Sequence, residues 1–218
     1  MTAAKVDVLI AAYNEQKTIG GVIDVLLQTR FVNQIIVIDD GSTDSTYRVA
    51  SRYGKKITLL KMPKNSGKSE AISFGLSRVS TPFVFLCDAD LVKISPTICE
   101  SIIDPVVRGQ VDMSIGQRRY HPFVNILNRY TAISGERALT TNILNQCARS
   151  KFFYNYGMET VINLYCYTHH LRIKSQVYDY SHTTHLTAKN PLKGIWIYTK
   201  QVLLIIKIYL AITIRGWH

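Results

Sequence analysis

Three short acidic clusters carry the chemical interest of this 218-residue chain. Ala11-Ala12-Tyr13-Asn14-Glu15 follows one apolar run, Asp39-Asp40-Gly41-Ser42-Thr43-Asp44 follows a second, and Asp88-Ala89-Asp90 follows a third. Taken singly, each is what ends a strand and caps the next helix, because Asp, Asn, Ser and Gly serve turns and N-caps. Three in register say more, since in an open α/β sheet the ligand crevice lies beyond the carboxyl ends of the strands. Two carboxylates one residue apart, as in Asp88-Ala89-Asp90, project to one side. They can share a hard cation or divide between a cation and a ribose hydroxyl. Mg²⁺ or Mn²⁺ suits such oxygen ligands, and would bridge diphosphate oxygens and stabilise charge developing on a leaving nucleotide.

The elements that must position these clusters are legible in the first half of the chain. Short apolar runs at 6–12, 34–39, 57–61 and 83–87 have the form of buried parallel strands. Amphipathic stretches at 16–28, 45–53 and 66–78 fit helices between them, and Ser95 before Pro96 marks an N-cap for a helix over 96–108. A further strand is expected at 111–116. After it the alternation stops in a polar, aromatic and basic region, followed by a helix over 158–167, a strand near 171–177 and a long apolar C-terminal helix. The pattern predicts an α/β fold with a mostly parallel central sheet flanked by helices. At this length one domain over 1–218 is expected: a nucleotide-binding half 1–116, an acceptor half 117–191 and a C-terminal amphipathic helix 192–218.

Charge divides unevenly. Residues 1–114 hold 13 Lys+Arg against 12 Asp+Glu, whereas residues 115–218 hold 13 against 3. An anionic partner therefore belongs with the second half, although the field alone does not choose among nucleic acid, an acidic membrane and a phosphorylated small molecule. Cys87, Cys99, Cys147 and Cys166 lie in apolar surroundings with no C-x-x-C spacing, which argues against a disulfide framework and for a reducing compartment. The N-terminus runs directly into a strand pattern without the features of a signal peptide, so a cytoplasmic protein is expected. From Leu192 to Ile214 the chain is mostly apolar, with Lys193, Lys200 and Lys207 every seven residues on one helical face. Such lysines disfavour a spanning helix and suit one lying at an anionic membrane surface. Packing on the domain, or pairing with a second subunit in a homodimer, is the competing reading.

The order of these motifs resembles the family 2 glycosyltransferases with the GT-A (nucleotide-diphospho-sugar transferase) fold. The matching residues are Val8-Leu9-Ile10-Ala11-Ala12-Tyr13-Asn14-Glu15, Ile36-Val37-Ile38-Asp39-Asp40-Gly41-Ser42-Thr43-Asp44, Gly67-Lys68-Ser69-Glu70-Ala71 and Phe85-Leu86-Cys87-Asp88-Ala89-Asp90. The resemblance implies that Ala11, Ala12, Tyr13, Glu15 and Asp39 or Asp40 hold base and ribose, with Lys68 and Ala89 near the nucleotide. Asp88 and Asp90 would manage ribose and metal. The second half is similar to polyprenyl-phosphate glycosyltransferases and glucosyl-3-phosphoglycerate synthases. On that likeness Ser134-Gly135-Glu136-Arg137-Ala138-Leu139 is an acceptor loop, in which Ser134, Gly135 and Arg137 would grip a phosphate at a helix start. An ordinary N-cap at Ser134 is the plainer reading.

Glu159, opening a helix in Tyr156-Gly157-Met158-Glu159-Thr160, sits where related enzymes carry an acidic catalytic residue. A first-turn acid also complements the helix dipole with no further role. In the stretch Ser181-His182-Thr183-Thr184-His185, His185 is favoured over His182 as a metal ligand, again by resemblance. Asn65-Ser66-Gly67-Lys68-Ser69 imitates the end of a phosphate-binding P-loop, but Met62 stands at the required glycine and Pro63 follows, so it is none.

The reading is a metal-dependent glycosyltransferase that moves a sugar from a UDP- or GDP-linked donor to an anionic, phosphorylated acceptor, with Asp90, Glu159 and Arg137 at the reaction centre and no nucleic acid partner. Two alternatives stay open: a nucleotidyltransferase on a similar scaffold, and a basic membrane- or nucleic-acid-binding module without catalysis. The first usually carries a Gly-rich loop after its first strand, which Ala11-Ala12-Tyr13-Asn14-Glu15 lacks.

Overall fold

A computed structural model describes residues 4–118, 136–154, 157–178, 181–182 and 210. Seven strands form one sheet in the order β3-β2-β1-β4-β7-β6-β8: β1 Val6–Ala12, β2 Val32–Asp39, β3 Thr58–Lys61, β4 Phe83–Leu86, β6 Met113–Arg118, β7 Arg137–Thr140 and β8 Ile173–Tyr178. Only β7 runs against its neighbours; the other described pairings in this sheet are parallel. A separate ladder pairs β5 Leu91–Val92 with β9 Ser181–His182. The helices are α1 Ile19–Leu27, α2 Thr46–Ser51, α3 Lys68–Leu76, α4 Pro96–Val107, α5 Thr141–Ala148 and α6 Gly157–Thr168, with a single 3₁₀ turn at Gly54–Lys56.

The central strands are apolar on both faces because both faces are covered. Val8, Ile10, Ile35 and Val37 pack with Ile19, Val22, Ile23 and Leu26 of α1 and with Ile102, Ile103 and Val106 of α4. On the other face, Leu9, Ile36 and Ile38 meet Ala71 and Ile72 of α3, joined by Leu144, Val161 and Ile162 from α5 and α6. Helix α3 lies close to the sheet: a Cβ added at Gly75 would come within 2.6 Å of Ile38 Cδ1 and 3.0 Å of Leu9 Cδ2. That approach fixes the height at which Lys68, first residue of the same helix, meets the strand tips.

Two expectations need correcting. The run around Arg137 does not start a helix; Arg137–Thr140 is a strand whose register sets Leu86 opposite Arg137 and Phe83 opposite Thr140. Its residues Arg137, Ala138 and Leu139 are buried between β4 and β6, and strand pairing outcompetes any local helical start. The helix begins only after it, at Thr141, capped by the Thr140 hydroxyl accepting from Ile143 N–H at 3.3 Å. Second, helix α1 begins at Ile19 rather than near residue 16, because residues 13–16 are committed to a loop that grips the β2–α2 connection. The expected C-terminal helix lies outside the described residues apart from Leu210. Among the described residues no helix is long and apolar enough to cross a membrane.

At the opposite end of the strands Asp7 is a structural clamp. Fully buried, it accepts hydrogen bonds from Ser80 N–H at 2.6 Å, Thr81 N–H at 3.1 Å, Asn33 Nδ2 at 2.8 Å and Gln34 Nε2 at 2.9 Å. Burial works to raise its pKa, but the Ser80 amide and the Asn33 and Gln34 side chains outweigh it, holding the carboxyl below its usual range. A folded pKa below the unfolded one contributes stability that is present above about pH 3.9 and is lost as pH falls through the folded value. Asp7→Ala, which leaves several part-buried donors without their acceptor, is expected to lower unfolding free energy by roughly 1–3 kcal/mol at pH 7 in urea titrations. The gap from wild type should narrow as pH drops below about 4.

Candidate active site

The sheet brings the acidic tips to one edge. Ala12 pairs with Asp39, Leu9 pairs with Leu86, and Cys87 N–H continues to Leu9 C=O at 3.1 Å. Because β7 is antiparallel, it is its first residue, Arg137, that joins this edge beside the end of β4. Strand β4 stops at Leu86, so Asp88-Ala89-Asp90 lies in the following turn; Ala89 is buried while Asp88 and Asp90 are partly exposed, and the alternation expected of the motif survives.

Lys68 joins the clusters. Its ammonium lies 2.6 Å from Asp88 Oδ1 and 2.9 Å from Glu159 Oε1, linking the start of α3, the tip of β4 and the first turn of α6. These side chains are only 33%, 19% and 11% exposed, so the pairs are worth more than surface ion pairs. Burial alone would lower the lysine pKa; the two carboxylates, Asp88 first, outweigh it and raise it, so Lys68 is a cation at any working pH. Beneath Glu159 sits Arg137, fully buried, with Nη1 3.5 Å from Glu159 C=O and 3.1 Å from Asn163 Oδ1. Desolvation lowers its pKa against the attraction of Glu159 and other anions. A guanidinium remains charged throughout, since its ordinary pKa lies above 12.

The loops of the first two strands are tied together. Asn14, with φ of 57°, accepts from Thr43 N–H at 2.9 Å and donates its own N–H to Ser42 Oγ at 3.0 Å. Glu15 N–H donates to Thr46 Oγ1 at 2.7 Å, and its carboxylate accepts from Thr18 Oγ1 at 2.9 Å. Tyr13 is left 43% exposed at the mouth of this loop pair, where a flat ring could stack. Ala11 and Ala12 lie within β1 below it, Ala12 buried. Asp39 is buried; Oδ1 accepts from Ser42 N–H at 3.3 Å, and Oδ2 has no hydrogen-bond partner among the described residues. Asp40 uses both oxygens on the backbone of Ser66 and Gly67.

Of the residues read from the sequence, then, Lys68, Asp88, Glu159 and Arg137 meet directly, and Asp39, Asp40, Tyr13, Glu15, Ala89 and Asp90 lie at or just beyond the ends of β1, β2 and β4 on the same side of the sheet. Arg137 is beneath the acid, not at an open acceptor surface. Ser134, Gly135 and His185 lie outside the described residues. His182 is placed by register alone: β9 sets it opposite Leu91, the residue after Asp90. Sequence reasoning missed Asn163, whose position four residues after Glu159 on α6 was the available signal. It also missed Asn14 as the tie between two loops.

Among the described residues no group of three or more His, Cys, Asp or Glu could enclose a metal. Two part-exposed carboxylates, Asp88 and Asp90, nonetheless fit a hard divalent cation of the kind bound through one or two carboxylates and completed by substrate phosphates.

The model of glycosyl transferase family 2 matches residues 7–193. The chain belongs to that family. Among curated relatives, glucosyl-3-phosphoglycerate synthase of Mycobacterium tuberculosis is 32% identical over 112 residues, 48% of this chain and 35% of that protein. The 4,4'-diaponeurosporenoate glycosyltransferase of Staphylococcus aureus is 29% identical over 136 residues, 58% of this chain and 36% of that one. These alignments thus span about a third of each relative's length. Among solved structures, the M. tuberculosis synthase in complex with Mn²⁺, UDP and glucosyl-3-phosphoglycerate superposes with a TM-score of 0.75 at 23% identity, covering 93% of this chain and 78% of that one. The same synthase with Mg²⁺ and UDP gives 0.75 at 22% identity over the same shares. The GT-A fold expected from the motif order is therefore the fold found.

Arg137 supplies a test of how the family 2 edge is held. Arg137→Met removes the donor to Glu159 C=O and Asn163 Oδ1 and the buried charge that offsets the nearby acids, and is expected to cost roughly 1–3 kcal/mol in urea unfolding. Arg137→Lys should recover only part, because it lacks the planar fork.

Proposed function

We propose that this family 2 chain transfers a sugar from a UDP-linked donor to an anionic acceptor in a Mg²⁺- or Mn²⁺-dependent reaction. One observation carries the reading: Lys68, Asp88 and Glu159, brought from three separate segments, meet in one part-buried ion-pair cluster at the edge where parallel strands end. Support for the donor comes from neighbours of the same fold crystallised with UDP and Mn²⁺ or Mg²⁺. An anionic acceptor is favoured by the 13-to-3 excess of cations in residues 115–218 and by the anions in both relatives' names, a phosphoglycerate and a neurosporenoate.

Asp88 and Asp90 would hold the metal, which when bound neutralises charge gathering on the departing diphosphate. The remaining roles fall to the protein. Tyr13 and the loop tied by Asn14 receive the nucleoside, with Asp39 Oδ2 in reserve as an acceptor for a base N–H. Lys68 offers its ammonium to the diphosphate as it arrives, exchanging part of its pairing with Asp88 for phosphate oxygens. Glu159, whose backbone C=O is held from beneath by Arg137, orients a hydroxyl acceptor and takes its proton. An acceptor phosphate is already ionised; there Glu159 positions the sugar and stabilises positive charge developing at the anomeric carbon. Contact with an anionic membrane face through residues 192–214 belongs to the same proposal, resting on Lys193, Lys200 and Lys207.

The test is incubation with a panel of nucleotide sugars and Mn²⁺, following nucleotide release. UDP-sugars should be slowly hydrolysed, Asp90→Ala should abolish this, and Glu159→Gln should lower kcat by about 10²–10⁴ with little change in KM. Release of no nucleotide from any donor, or full activity in Asp90→Ala, would contradict the proposal.

A further inference from the structure

The resemblance to the family assigns Asp39 or Asp40 to the nucleotide, yet the two carboxylates are used differently. We infer that Asp40 is a positioning residue: it braces the loop before α3 and thereby sets Lys68, and it does not touch the nucleotide. The inference rests on the proposed function only for what Lys68 then does.

Asp40 is 3% exposed. Its Oδ1 accepts from Ser66 N–H at 2.8 Å, its Oδ2 from Gly67 N–H at 2.8 Å, and its own N–H donates to Ala12 C=O at 2.8 Å. One carboxylate thus satisfies two consecutive amides at the start of a nine-residue helix, where negative charge also complements the helix dipole. The next residue seals the arrangement. Gly41, with φ of +68°, lies so close under the loop that an added Cβ would come within 2.6 Å of Asn65 N and 2.7 Å of Lys64 Cα. Gly67, with φ of +102°, then turns the chain into α3, and Lys68 is the first residue of that helix. The chain of contacts runs from the tip of β2 through Asp40, the Ser66 and Gly67 amides and one residue of helix to an ammonium 2.6 Å from Asp88. It also gives a physical reason why Asn65-Ser66-Gly67-Lys68-Ser69 is no phosphate loop: two of its amides already hold a carboxylate.

Asp40→Asn breaks the symmetry of the clamp, because a carboxamide offers one acceptor oxygen and turns an NH₂ donor toward the other amide. Four measurements decide the matter. In the ligand-free protein, hydrogen exchange at the Ser66 and Gly67 amides should accelerate about tenfold in Asp40→Asn, the scale of one lost bond to a charged group. Titration calorimetry with UDP and Mn²⁺ should show Asp40→Asn, Lys68→Met and the double variant behaving non-additively, the double binding UDP no worse than Lys68→Met alone. Gly41→Ala, which disturbs the loop with Asp40 intact, should reproduce the loss of UDP affinity. Near-ultraviolet circular dichroism confirms that each variant is folded. Losses that multiply in the double variant, wild-type affinity in Gly41→Ala, or unchanged protection of both amides would each overturn the inference. If the wild-type protein fails to bind UDP, the proposed function falls, and hydrogen exchange still decides whether Asp40 holds the loop.

Discussion

Lys68 carries a single positive charge that two carboxylates from distant segments share, and the edge of the sheet is organised around it. Asp88 arrives from the end of β4 and Glu159 from the first turn of α6, ninety-one residues beyond the lysine. Like charges at such spacing repel, so without the ammonium the two acids could not be held together at low exposure. The sheet exists to make that meeting possible: β1 between β2 and β4 puts their carboxyl ends side by side, and α3 lies against Ile38 and Leu9 closely enough to deliver its first residue to them. Arg137 answers the same problem from below, a second cation wholly out of water and bonded to the backbone of the helix that carries Glu159.

Such a cluster is suited to polyphosphate chemistry in family 2. A part-exposed ammonium balanced by carboxylates can turn to an incoming anion, and the carboxylate it releases is then available to a divalent cation. Positive charge is graded along the chain as well, near balance in the first half and strongly basic in the second. On the proposed function, a dianionic donor would be managed by local pairing, whereas the acceptor would meet a broad field.

Much of the first half of the chain was legible because its signals are local. Val6–Ala12 and Val32–Asp39 are short apolar runs that only a sheet covered on both faces accommodates, and each ends in residues that turns require. The acidic tips and Lys68 followed from the resemblance and from the rule that ligands lie at strand ends. What escaped was decided by tertiary pairing. Four residues beginning with an arginine carry no strand period, and Arg137–Thr140 became a strand through the backbone groups of β4 and β6. The pairing of His182 with Leu91 likewise joins segments ninety-one positions apart and leaves no trace in either. Adjacent aspartates look equivalent in a string of letters. Asp39 and Asp40 differ only once the loop at Ser66 and Gly67 is folded over one of them.

The most direct measurement is a crystal structure of the protein grown with UDP and Mn²⁺, using anomalous scattering to place the metal. A manganese peak at Asp90, with the diphosphate between it and the Lys68 ammonium and the uracil over the loop of Tyr13 and Asn14, is the expected result. UDP bound away from the strand tips, or manganese located where neither Asp88 nor Asp90 reaches it, would contradict the convergence on which the proposed chemistry stands.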